Sequence, residues 1–333
     1  MGSRGNDDQD RADQSGQVIA MAHEPHSQIP GRIRAKEVFH PGTLIAAVVV
    51  AVLAAMLVHG LVTNKNFQWN IVWMYLRDVK VIQGIGYTLL LTVGAMILGT
   101  ILALVMAIMR TASNPVLRGV SWAYIFVFRG IPVYTQLVFW GLVSVLYPVI
   151  GLGVPFGPQF VDFDTSKLFT AGVAAVIGLG LNEGAYLAEI IRSGLESVDS
   201  GQSEAAKALG MKPSLILRRI IIPQAMRVII PPLGNETIGM LKTTSLVLAV
   251  PFTLDLQFAT NAIANRIYAP IPLLIVAAFW YLVMTSILMV GQHYLERYYG
   301  RGFTNSGSKR SKRQAAINAA GTSHIDPSLE VEQ

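Results

Sequence analysis

Six long apolar runs, separated by shorter polar segments, form the main pattern along the chain. They cover roughly residues 43–63, 84–109, 120–147, 170–191, 231–252 and 271–292. A helix of about 20 apolar residues crosses the hydrocarbon core of a bilayer, so each run is long enough to span a membrane. The pattern predicts an all-α membrane protein with about six transmembrane helices.

Polar sequence between and around these runs divides the chain into four regions. We expect a disordered tail at 1–41, an extra transmembrane helix with an interfacial aromatic segment at 42–83, a helical core at 84–295 and a basic, disordered tail at 296–333. The basic cluster at 309–313 in the second tail is expected to contact anionic membrane lipid. The first apolar run begins too late in the chain for a signal peptide.

Composition and charge agree with a membrane protein. The 333 residues are 52% hydrophobic and 14% charged, which is too apolar for a soluble domain. The net charge is +6, but most of the 26 Lys and Arg residues fall on one side when the N-terminus is placed in the cytoplasm. This asymmetry follows the positive-inside rule and predicts that both termini and the loop at Glu204 are cytoplasmic. We therefore expect no nucleic acid partner.

Small residues recur every four positions in two of the apolar runs. One run has Ala95, Gly99, Ala103 and Ala107, and another has Gly180, Gly184 and Ala188. Such stripes allow helix backbones to approach closely in lipid. The second and fourth apolar runs are therefore predicted to be inner helices of a bundle.

The polar segment at 199–223 predicts a helix, a tight turn and a second helix. Asp199 resembles an N-cap, Gly210 a C-cap glycine and Pro213 the first residue of a helix. Ala205, Ala206 and Leu209 are expected on one side of the first helix, as a shallow face of small residues. A face of this kind suits a partner whose groove approaches the backbone closely.

The same segment has a specific resemblance. Glu204-Ala205-Ala206, Gly210, Ile220 and Ile222-Pro223 have the spacing of the EAA loop of ABC importer permeases, with Ile222 where that family usually has Leu. The resemblance implies a cytoplasmic coupling helix that docks on an ATPase subunit. The contacting residues would be Glu204, Ala205, Ala206, Leu209 and Gly210. The alternative is an ordinary basic loop helix.

Three further segments resemble the polar amino acid members of that family. Residues 128–136 (F-R-G-I-P-V-Y-T-Q) are similar to the F-R-G-T-P-L-x-x-Q motif, and the similarity from Asn182 to Pro223 is continuous. Residues 235–246 are similar to N-x-x-x-x-x-x-K-D-T-S-L, with Thr243 in place of Asp. The resemblance implies an importer for polar amino acids.

Charged and polar residues inside apolar runs are candidates for the substrate pathway, since an isolated charge in a bilayer is costly. Arg129 and Lys242 are candidates for the carboxylate of an amino acid, and Asn182 and Glu183 for its ammonium. Glu183 and Lys242 are also candidates for an ion pair, with the alternative that both line a watery cavity. Two alternatives stay open: Arg129 as an anchor at the membrane interface, and all four residues as contacts between helices.

The resemblance implies a type I ABC importer permease bundle in the bacterial inner membrane. It also implies two ATPase subunits, a second permease copy or a homologue, and an extracytoplasmic solute-binding protein. We expect no catalytic residues, metal or cofactor in this chain, because it has no phosphate-binding loop and no metal-ligand spacing; ATP and magnesium belong to the partner. The alternative is an energy-independent channel or a secondary carrier.

Overall fold

The computed structural model describes residues 41–154 and 157–299, which divide into two units between Asn64 and Lys65. The first unit contains helix α1 (Pro41–Thr63), whose described side chains are all exposed. A helix that is aliphatic on every side is suited to a lipid environment. The predicted tails lie mostly outside the described residues, as does the basic cluster at 309–313.

The second unit is mainly helical. Its first half contains a 3₁₀ turn (Lys65–Phe67) and then α2 (Trp69–Tyr75), α3 (Val79–Thr111), α4 (Pro115–Gly130), α5 (Val133–Gly141), α6 (Val143–Leu146), β1 (Val149–Gly153), β2 (Gln159–Asp164) and α7 (Thr165–Leu168). Its second half contains α8 (Ala171–Glu196), α9 (Ser200–Ala208), α10 (Pro213–Ile216), a π-helical turn (Leu217–Ile221), α11 (Ile222–Thr243), a 3₁₀ turn (Thr244–Ala249), α12 (Leu256–Ile267) and α13 (Pro270–Tyr299).

Helices α3 and α8 pack side by side at the centre of this unit, along the two small-residue stripes. A Cβ added to Gly180 would lie 2.7 Å from the Leu98 side chain, and one added to Gly184 would lie 3.0 Å from Leu102. The paired residue numbers rise together along both helices, so the helices are parallel. The stripes were therefore correctly predicted as a close packing surface.

The parallel arrangement defines the two ends of the second unit. Helices α3 and α8 both end near α9, which we call the α9 end. They both begin at the opposite end, which we call the hairpin end because β1 and β2 immediately precede α7 and α8 in the chain. Glu183, near the midpoint of α8, lies about halfway between the two ends.

The predicted third span, 120–147, is broken into α4 and α5, which meet at a bend of 101°. Pro132 causes the break because it has no N–H to donate to the carbonyl of Phe128, four residues earlier. The Nδ2 atom of Asn182 and the Nε2 atom of Gln136 donate to that carbonyl instead, at 2.8 and 2.9 Å. The break therefore frees a backbone carbonyl, and two side-chain amides use it.

The prediction of about six spans is higher than the number of helices that qualify by length and apolar composition. In the described residues four helices qualify, α1, α3, α8 and α13, or five when α4 and α5 count as one span. The predicted fifth span, 231–252, was misplaced. Helix α11 begins nine residues earlier, and Thr243 is its last residue.

A short antiparallel hairpin of β1 and β2 was not predicted. Its strands pair from Val149 with Asp164 to Gly153 with Gln159. The pattern available in the sequence was the alternation of polar and apolar residues at 159–164, which is typical of a strand with two different faces. The predicted spans ended at 147 and began again at 170, so these residues were left without an assigned element.

Candidate functional site

The α9 helix begins and ends with the caps that its sequence predicted. The Oδ1 atom of Asp199 accepts a hydrogen bond from the Gly201 N–H at 2.7 Å. At the other end Gly210 has φ of +74°, and the N–H groups of Gly210 and Met211 donate to the carbonyls of Lys207 and Ala206 at 2.9 and 3.1 Å. This pair of bonds is a Schellman motif, which ends a helix abruptly where the next residue tolerates a left-handed backbone.

The predicted common face of α9 is only partly present. Leu209 is 82% exposed and Ala205 is exposed, whereas Ala206 is 2% exposed. Successive helical residues are rotated by about 100°, so Ala205 and Leu209 share a face and Ala206 lies on another. Ala206 therefore faces its own chain, where α9 packs against α10 and the π-helical turn. The outward surface of α9 includes Glu204, Ala205 and Leu209 among its exposed residues.

A cavity of about 460 Å³ lies halfway along the bundle, where α8, α11 and the break between α4 and α5 meet. Its polar lining includes three of the four predicted pathway residues, Arg129, Asn182 and Glu183. The other side chains that line it with a polar atom are Tyr186, Glu236 and Thr243. We call this the midpoint cavity.

Glu183 is the most deeply buried acid of the midpoint cavity. It is 5% exposed, and its Oε1 atom is buried without a hydrogen-bond partner. Helix α3 approaches closely enough at Gly99 that an added Cβ would lie 3.1 Å from the Glu183 side chain. A carboxylate oxygen held in this way, without a donor, is available for a cationic or hydrogen-bonding ligand.

Asn182 and Arg129 both have partners inside the chain. The Asn182 amide donates to the Phe128 carbonyl and so holds the break between α4 and α5 against α8. The Arg129 guanidinium lies over the Tyr186 ring, 5.1 Å from its centroid, in a cation–π contact. Asn182 therefore has the role of a contact between helices that the sequence analysis left open for it. Arg129 does not lie at the end of its apolar run but beside the cavity.

The predicted ion pair between Glu183 and Lys242 is wrong. Lys242 is exposed in the last turn of α11 and does not line the midpoint cavity, and no ion pair joins it to Glu183 in the described residues. The error follows from the misplaced fifth span, because Lys242 was expected near the middle of a helix and lies at its end. Glu236 of α11 faces the cavity in its place.

Sequence reasoning did not select Glu236 and Thr243 as site residues. They lie seven positions apart on α11 with Gly239 and Met240 between them, and all four line the cavity. This spacing places residues on one helix face, so it was the available signal. Thr243 stands where the resembling family usually has an acid. Glu183 lines the same cavity as Thr243 and brings a carboxylate to it.

Helix α8 carries further charges toward the α9 end, and these are paired. The Arg192 guanidinium donates to Glu189 at 3.2 Å through Nε and to Glu196 at 2.6 Å through Nη1. Glu189 and Arg192 lie three residues apart, a spacing at which side chains pair along a helix. The unpaired acid therefore belongs to the midpoint cavity rather than to the end of the helix.

Residues 95–300 match the family described as binding-protein-dependent transport system inner membrane component. The chain is 48% identical to the arginine transport system permease protein ArgU of Corynebacterium glutamicum over 282 residues, which are 84% of this chain and 87% of the relative. It is 35% identical to the L-cystine transport system permease protein TcyB of Bacillus subtilis over 218 residues, 66% of this chain and 86% of the relative.

Two solved structures are similar. One, titled as an amino acid ABC transporter with histidines, is 36% identical with a TM-score of 0.54 and covers 66% of this chain and 94% of that chain. The other is the MetNI methionine ABC transporter in inward-facing conformations, 16% identical with a TM-score of 0.51, over 66% of this chain and 96% of that chain. At 16% identity the second likeness concerns the fold alone.

Proposed function

Because this chain belongs to the binding-protein-dependent transport system inner membrane components, as a permease of an amino acid ABC importer, we propose that it carries a cationic amino acid through the midpoint cavity. Glu183 and Glu236 bind the cationic side chain of the substrate. The single observation that carries this assignment is the buried, unpartnered Oε1 atom of Glu183 in a cavity with a second carboxylate.

The charges of the midpoint cavity favour a cationic substrate over a neutral one. Glu183 and Glu236 supply two carboxylates, and among the described residues Arg129 is the one basic residue that lines the cavity. Arg129 is held over Tyr186 beside them, where its guanidinium is placed to bind the α-carboxylate of the substrate. The 48% identity to a permease named for arginine transport supports the same substrate class.

We propose that α9 transmits the work of ATP hydrolysis. Its exposed residues, Glu204, Ala205 and Leu209, contact an ATPase subunit, while Gly210 and the buried Ala206 fix the shape of the helix end. Motion of α9 reaches the cavity through α8, which ends three residues before α9 begins and carries Glu183 at its midpoint. The α9 end is then cytoplasmic.

The complete importer, on this proposal, contains two permease copies or this chain with a homologue, two ATPase subunits that bind ATP and magnesium, and an extracytoplasmic solute-binding protein. The open side of the midpoint cavity, at the exposed residues Arg129, Gly130 and Ile131, faces the second permease. The substrate-binding protein delivers its ligand at the hairpin end. Both chain termini lie in the cytoplasm.

Uptake of radiolabelled arginine by proteoliposomes containing the complete importer tests the substrate assignment. Glu183→Gln and Glu236→Gln keep the side-chain volume and remove the charge. Loss of a charge-assisted hydrogen bond of about 1.5–3 kcal/mol predicts that Glu183→Gln lowers uptake by about tenfold or more.

Lys242→Gln is the matched control, because it removes a charge from α11 outside the cavity, and its uptake is expected to stay within about twofold of the original, as for an exposed charge. Unchanged uptake with Glu183→Gln, or an equal loss with Lys242→Gln, would overturn the assignment.

A further inference from the structure

The two faces of the β1–β2 hairpin differ in polarity. In an antiparallel pair, directly opposed residues project from the same face of the sheet. Ile150 opposes Phe163, and Leu152 opposes Val161. These four apolar side chains make one face, with exposed fractions of 37, 38, 65 and 51% respectively.

The other face is acidic. Val149 opposes Asp164 and Gly151 opposes Asp162, so both carboxylates lie on the same side of the sheet. Asp164 accepts hydrogen bonds from the hydroxyl and the N–H of Ser166, which lower its pKa below the usual value and keep it ionised at neutral pH. Val149 is also exposed on this second face, at 56%, so the hairpin has one wholly apolar face and one face that carries both carboxylates beside a valine.

The hairpin is tied to the end of a membrane helix. The N–H of Thr165 donates to the carbonyl of Pro148 at 3.0 Å, which closes the base of the hairpin. Helix α8, a candidate membrane span, begins at Ala171, six residues later. Six residues reach at most roughly 20 Å, so the base of the hairpin lies near the membrane surface at the hairpin end.

Exposed apolar residues also lead into the hairpin from the other direction. Phe139 and Leu142 are each 50% exposed, Val145 71% and Leu146 56%. They lie on the second half of the broken span and on the helix that follows it. The apolar face of the hairpin thus continues an exposed apolar surface of the bundle along the chain.

We propose that the apolar face of the β1–β2 hairpin lies in the interfacial region of the lipid bilayer, with the Asp162 and Asp164 face toward water. Lipid is the occupant because a specific protein interface needs about 20–30 residues on each side, and this face offers four side chains. Lipid needs no such area, since an amphipathic element enters the interface through its apolar face alone. The carboxylates point away from the negatively charged lipid surface.

The placement requires only that α8 crosses a bilayer and is independent of the substrate and of the proposed orientation, whereas the mechanical role that follows rests on the proposed transmission of motion through α9. It gives the hairpin a mechanical role. An interfacial anchor next to Thr165 holds the start of α8 at a fixed depth, while the α9 end of the same helix moves. The hairpin would then act as the fixed point of α8.

Single cysteines test the placement, because the chain has no native Cys. Leu152→Cys and Val161→Cys report on the apolar face from its two strands, and Asp162→Cys reports on the acidic face. The complete importer is labelled with an environment-sensitive NBD probe and placed in lipid nanodiscs that contain headgroup-nitroxide phospholipid. Both apolar-face probes are expected to be quenched about threefold more strongly than the Asp162→Cys probe, because they lie among lipid headgroups.

Three results would overturn the proposal. Equal quenching at all three positions would place the hairpin in water. Weak lipid quenching with a disulfide between two Leu152→Cys chains would make the face a contact between permease copies. Protection of the apolar-face probes that depends on added solute-binding protein would make it a docking surface for that protein. Similar quenching of the Leu152→Cys and Val161→Cys probes would exclude local unfolding of the hairpin as the cause, since the two positions are paired in the native register.

Discussion

The α9 end and the midpoint cavity are built by different means. Helix α9 takes its shape from residues close to it in the chain, with Asp199 at its start and the positive φ of Gly210 at its end. The midpoint cavity is formed by distant segments, so that Glu183 and Glu236 meet only when α8 and α11 pack. The surface proposed to contact a partner is thus specified locally, and a site inside the bundle depends on the whole fold.

The largest expected effect comes from the outward face of α9. Leu209→Asp places a charge where Leu209 is 82% exposed and predicted to contact the ATPase. Loss of an apolar anchor worth about 2 kcal/mol or more predicts at least about a tenfold drop in co-purified ATPase.

Leu168→Asp is the control, an exposed leucine at the hairpin end that undergoes the same chemical change. Retention of the ATPase by Leu209→Asp would contradict the docking role, and so would an equal loss with Leu168→Asp. If the chain formed an energy-independent channel, no ATPase would co-purify with the unsubstituted protein.

Substitutions at the break between α4 and α5 should have effects of intermediate size on the free energy of unfolding, and these effects should be coupled. Asn182→Leu and Gln136→Leu each leave one donor on the Phe128 carbonyl, so each should cost about 1 kcal/mol of unfolding free energy. The double variant leaves that carbonyl without a donor and should cost more than the sum.

Thermal unfolding of the purified importer in detergent measures the three variants, with Thr237→Val as the control because Thr237 donates only within its own helix. Additive losses in the double-mutant cycle would show that the two amides act independently.

The smallest effect is expected at Gly210. Gly210→Ala introduces a methyl group into open space, but at φ of +74° an L-residue costs about 1 kcal/mol. The amides that follow Ala206 should exchange hydrogen faster by about fivefold. Gly119→Ala is matched to it, since the space around Gly119 is also open and its φ is that of an ordinary helix, where Ala is preferred to Gly. Equal hydrogen exchange in Gly210→Ala and Gly119→Ala would contradict the claim that the positive φ of Gly210 fixes the end of α9.

The contrast between the locally specified α9 end and the midpoint cavity also explains which features could be predicted from sequence. The caps of α9 and the small-residue packing of α3 on α8 each depend on a few neighbouring residues or on a simple period, and each was predicted. The expectation that Ala206 shares a face with Ala205 and Leu209 was wrong, because successive helical residues are rotated by about 100°.

The end of α11 was a long-range error. Apolar periodicity continues past Thr243 while the backbone changes to a 3₁₀ turn, so Lys242 was expected at mid-depth and paired with Glu183. The hairpin, which lies between two predicted spans, was missed because one short alternating segment does not show which other segment it pairs with. In both cases the missing information was tertiary.

Equilibrium binding to the purified permease–ATPase complex, without solute-binding protein, tests the central claim most directly. Citrulline has the shape of arginine with a neutral ureido group in place of the guanidinium, so it isolates the charge. We predict that the complex binds arginine about tenfold or more tightly than citrulline and that Glu183→Gln removes this difference. A preference for arginine that persists in Glu183→Gln would contradict the account.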